Sequence, residues 1–98
     1  MTIEKAINGS AAVLKISGVL DTETAPGLET VLVSELAGID DLTLDFEQVE
    51  YVSSAGLRVI LKQQSRMNET GKMKIIHVNE SVLEIFEITG FTSIMTIE

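Results

Sequence analysis

Two adjacent serines followed by two of the smallest residues, Ser53-Ser54-Ala55-Gly56, are where residue types and spacing could do chemistry in this chain. The run leads into an apolar stripe at helical spacing, so it marks the start of a helix whose first turn carries almost no side-chain bulk. Unpaired backbone N–H groups there favour an anion, and small residues let a phosphate or a partner approach closely. The competing reading is that Ser54, or Ser53, only caps the helix, since serine is among the commonest caps. Gly18-Val19-Leu20-Asp21-Thr22 and Val78-Asn79-Glu80 also follow strand-like runs. In a parallel sheet such loops share one edge, where ligand and partner sites gather. Asp21 there either contacts a partner or helps orient the Ser54 loop, or is a cap or turn residue before the next helix.

Nucleophilic catalysis would need Ser54 to find a base, and His77 is the one histidine. The Gly-x-Ser-x-Gly elbow is absent, and no paired carboxylates, Gly-rich phosphate loop or metal cluster replaces it. An enzyme is therefore not expected. His77 lies in a strand pattern and reads as packed or solvent-facing. The chain has no cysteine, which excludes disulfides and thiolate chemistry, and one histidine puts a structural zinc site out of reach. No cofactor and no metal are expected. Met67, Met73 and Phe86 fit a core.

The elements that must position these residues follow from periodicity. Ala25, Leu28, Val31, Leu32 and Leu36 make a first helical stripe, with Thr24 as an N-cap and Pro26 in the first turn. Leu57, Ile60, Leu61 and Met67 make a second, interrupted by Gln64. Val82, Ile85 and Phe86 make a third, capped by Asn79 or Ser81. Gly38, Gly71 and Gly90 follow the three patterns, where a helix ends most easily in a left-handed glycine. Strand-like runs cover Ile3–Ile7, Ala12–Ile16, Leu42–Phe46, Lys72–Val78 and Ile94–Ile97, and Asn8-Gly9 predicts a hairpin. The order β-β-α-β-α-β-α-β predicts a small α/β domain over residues 1–98. Its mixed sheet is mostly parallel with an antiparallel N-terminal hairpin strand, and about three helices pack mainly on one face.

Of 98 residues, 45% are hydrophobic, enough for one core and against disorder. Seven basic residues against 15 acidic ones give a net charge of −8, which works against nucleic acid and anionic membrane as partners. The longest apolar run, Ala11–Leu14, is far below the ~20 residues needed to span a bilayer. Met1–Lys5 lacks a signal-peptide pattern, so a cytoplasmic location is expected.

Asp45-Phe46-Glu47-Gln48-Val49-Glu50-Tyr51-Val52-Ser53-Ser54-Ala55-Gly56-Leu57-Arg58 resembles the signature of STAS domains, in particular the bacterial anti-sigma factor antagonists. Gly18-Val19-Leu20-Asp21 resembles the family's second motif. Glu84–Phe91 is similar to its closing helix and turn. The resemblance implies a phosphorylatable interaction switch. In its unphosphorylated form it would bind an anti-sigma factor that is also a serine kinase, freeing a sigma factor. Phosphorylation at Ser54 would release the partner, and a serine phosphatase would reset it. Asp21, Thr22, Ser53, Ala55, Gly56 and Leu57 would form the partner-binding surface. Many members carry Asp where this chain has Ser53. The same switch could instead serve a kinase–phosphatase relay that involves no sigma factor.

Overall fold

In a computed structural model describing residues 1–98, the Asn8-Gly9 turn joins β1 (Thr2–Asn8) to β2 (Ala11–Leu20) as an antiparallel hairpin. The rest is parallel. β3 (Asp41–Val52), β4 (Lys72–Ile76) and β5 (Thr96–Ile97) add in chain order, giving the sheet β1-β2-β3-β4-β5. The alternation of the strands decides which side is covered. Leu14, Ile16, Leu42, Leu44, Phe46 and Ile75 point to the helices and are fully buried, while Val13 and Lys15 face outward. Mixed topology and one-sided helix packing match the expectation.

The first stripe forms α1 (Ala25–Thr30), which widens into a π turn over Val31–Glu35. The wider turn keeps Leu28, Leu32 and Leu36, each four residues apart, on the buried side. α2 spans Ser54–Thr70 and α3 spans Glu80–Ile88. Phe86 of α3 sits between Phe46 of β3 and Phe91, with both ring pairs 6.1 Å apart.

Several local expectations change. Thr24 stands at the α1 boundary but makes no side-chain cap bond. In α2, Leu61 faces solvent while Val59, Gln63 and Gln64 are buried, so Gln64, expected to interrupt the stripe, is part of the buried face together with Gln63. β4 ends at Ile76, two residues early, because His77 turns left-handed (φ 59°). The last strand shortens to Thr96–Ile97, since Phe91–Ser93 forms a 3-10 turn first. Gly38 and Gly90 do have positive φ, but Gly71 is extended at φ 176°. A Cβ at Gly71 would stand 1.9 Å from the Asp40 carbonyl oxygen, so close approach and not handedness demands glycine there.

Candidate functional site

β2 and β3 end side by side, Leu20 opposite Val52, and the Ser53 N–H donates to the Leu20 carbonyl at 2.8 Å. That bond fixes where α2 begins. The two serines then separate. Ser53 is extended (ψ 176°) and takes the cap, its Oγ accepting a long bond of 3.5 Å from the Gly56 N–H. Ser54 is the first residue of α2, exposed, with a hydroxyl unbonded within the chain.

Gly56 allows this arrangement. Its missing Cβ would lie 2.7 Å from Leu20 Cγ, 2.9 Å from the Leu20 carbonyl oxygen and 3.0 Å from Val52 Cγ1. The glycine therefore faces the strand ends rather than outward. Leu57, 7% exposed, also points into the core. Of the expected surface residues, Ser54 and Thr22 are exposed, and Ser53 and Ala55 are half-buried. Thr22 and Ala55 meet in a groove of about 510 Å³ between α1 and α2, further lined by Pro26, Arg58 and Lys62. Lys62 pairs with Glu29 across that groove at 3.5 Å.

Asp21 sits on the same edge, but its carboxylate turns inward to its own loop. Asp21 Oδ1 accepts from the backbone N–H groups of Glu23 (3.0 Å) and Thr24 (3.1 Å). Thr24 Oγ1 accepts in return from the Asp21 N–H at 2.8 Å and donates to the Val19 carbonyl at 2.8 Å. The Ala25 N–H donates to the Asp21 carbonyl at 2.8 Å, so helical hydrogen bonding starts at Asp21 in a reciprocal cap. The Thr24 N–H above all holds the Asp21 carboxyl below its ordinary range, against some desolvation. Asn79 ties the third loop down in the same way. Its Oδ1 caps α3 through the Val82 N–H at 2.9 Å, and its Nδ2 donates to the Val49 carbonyl at 2.8 Å.

His77 does not approach Ser54 through any hydrogen bond. Its Nδ1 faces Asp45 Oδ1 at 3.0 Å and Glu47 Oε2 at 3.6 Å. The lone histidine thus meets two carboxylates about 30 positions earlier in the chain, a group of three possible metal-ligating atoms where the sequence reading expects none. Arg58 also escaped notice as a site residue. It is exposed, forms no ion pair, and stands four residues after Ser54, the helical spacing that places both on one face.

The profile of the STAS domain matches residues 2–98. The chain belongs to the STAS domain family. This STAS domain is 31% identical over 97 residues to the anti-sigma-B factor antagonist of Staphylococcus aureus, covering 97% of this chain and 90% of that protein. Its fold is similar to an anti-sigma factor antagonist from Mycobacterium paratuberculosis, with a TM-score of 0.86 and 23% identity over 98% of this chain and 83% of that one. It is also similar to the Bacillus cell fate determinant SpoIIAA in its phosphorylated form, with a TM-score of 0.76 and 13% identity over 99% and 91% of the two chains. No helix of this STAS domain is long and apolar enough to cross a membrane.

Proposed function

We propose that this STAS domain is a cytoplasmic anti-sigma factor antagonist switched by phosphorylation of Ser54, and that it is not an enzyme. The observation that carries the reading is the division of labour between the serines. Ser53 holds the cap, so the neighbouring hydroxyl is exposed and free to accept a phosphoryl group. The names of the Staphylococcus relative and the Mycobacterium neighbour support an anti-sigma factor as partner. The phosphorylated form of SpoIIAA supports a modified state of this fold.

The chemistry is consistent with release. A phosphate adds about −1.5 to −2 charges and three acceptor oxygens. At the first residue of a 17-residue helix the dipole favours that charge, and Arg58 adds a cation on the same face. The fold therefore tolerates the modification. A partner packed over Ser54, with Thr22 and Ala55 beside it, does not, because the phosphate would have to be desolvated against it. In this reading the partner is a serine kinase as well as an anti-sigma factor, and a serine phosphatase restores the hydroxyl. Incubation with that kinase and ATP should add one phosphate, mapped by fragmentation mass spectrometry to Ser54. Ser54→Ala should abolish it and Ser53→Ala should not. A phosphate on Ser53 would overturn the assignment.

A further inference from the structure

We propose that Asp45, Glu47 and His77 form a binding site for a zinc-class divalent cation, separate from the Ser54 surface. Asp45 and Glu47 are alternate residues of β3, and β4 ends with Ile76 opposite Asp45. The left-handed backbone of His77 then aims its ring back over β3; it is the one non-glycine residue with positive φ. His77 Nδ1 stands 3.0 Å from Asp45 Oδ1 and 3.6 Å from Glu47 Oε2, and the three donors lie within 4.8 Å of one another. Around a tetrahedral ion with bonds of 2.0–2.2 Å, adjacent donors stand about 3.4 Å apart. Small side-chain movements reach that geometry.

Burial and charge point the same way. The Asp45 side chain is only 8% exposed, and the Glu47 N–H holds its Oδ1 in place at 3.0 Å, the kind of second bond that orients a ligand. The Asp45 carboxyl is held largely out of water with the Glu47 carboxyl beside it. Lys15 lies opposite Asp45 in β2 but forms no ion pair with it, and Lys74 pairs with Glu98. A dication between the two carboxyl groups would balance both at once. One nitrogen and two oxygens suit Zn²⁺, with a position left for water, better than Mg²⁺ or Ca²⁺, which take six or more oxygens. The site lies roughly 20 Å along β3 from Ser54.

Calorimetric titration of tag-free protein with ZnCl₂ in a non-coordinating buffer tests this, beside nitrogen NMR of the histidine ring. One Zn²⁺ per chain and a shift of the His77 Nδ1 resonance are expected, with no response to MgCl₂. His77→Asn keeps a residue that tolerates the left-handed backbone and Glu47→Gln alters an exposed side chain, so each should remain folded by its thermal melt while weakening Zn²⁺ binding at least about tenfold. No binding up to millimolar Zn²⁺, equal binding of Mg²⁺, an unmoved Nδ1 resonance, or wild-type affinity in both variants would each overturn the site.

Discussion

Ser53 and Ser54 carry the same side chain, and only the backbone distinguishes them. The extended conformation of Ser53 points its oxygen at the Gly56 N–H, while Ser54, one residue later, already has its side chain on the outside of the helix. Gly56 completes the arrangement from within, because any Cβ there meets the Leu20 carbonyl. Sequence reasoning gives this glycine the task of letting a partner approach; the packing instead assigns it to the seat of α2 on the strand ends. Gly56→Val should therefore destabilise the domain by roughly 1–3 kcal/mol, the usual cost of overpacking. A lowered urea midpoint is expected. An unchanged midpoint with lost partner binding would restore the outward reading. Adjacent serines are legible in the sequence as a cap and an acceptor, but which is which depends on one ψ angle that no residue type dictates.

At the scale of elements, the three helical stripes and the hairpin were legible because their residue spacing is set by the helix and strand periods themselves. Leu28, Leu32 and Leu36 are buried as their spacing predicts, although a π turn carries the last of them. Less legible is what depends on neighbouring elements. Gln63 and Gln64 are buried by the position of α2 on the sheet, and the meeting of His77 with Asp45 depends on the β3–β4 register. The turn that leads into α1 belongs to the same class: Thr24 stands at the N-cap as its position predicts, but the side-chain bond there is made by Asp21, which accepts from the Thr24 N–H. This has a pH consequence. The Asp21 carboxyl is depressed in the folded state, so its stabilisation is complete above the ordinary aspartate pKa of about 3.9 and is lost as pH falls through the lower folded value. Asp21→Asn should flatten the acid limb of a stability–pH profile below about pH 4 while changing little at pH 7, where Asn caps nearly as well. An acid limb as steep as that of the wild type would show that the carboxylate does not hold the cap.

For the molecule as a whole, a net charge of −8 and helices on one sheet face leave the C-terminal strand edge as the place where Ser54, Thr22 and the α1–α2 groove are presented together. The Ser53–Leu20 and Asn79–Val49 hydrogen bonds tie this edge to the sheet. A switch built on such an edge needs no rearrangement of the fold, only a change of charge at one hydroxyl. The direct measurement is calorimetric titration of the proposed anti-sigma kinase into the unmodified protein and into protein phosphorylated at Ser54, with matched thermal melts. At least about a hundredfold weaker binding of the phosphorylated form, equivalent to ~2.7 kcal/mol, is predicted, with the melt nearly unchanged. Equal affinity of the two forms, or a loss of affinity explained by unfolding, would contradict a switch at Ser54.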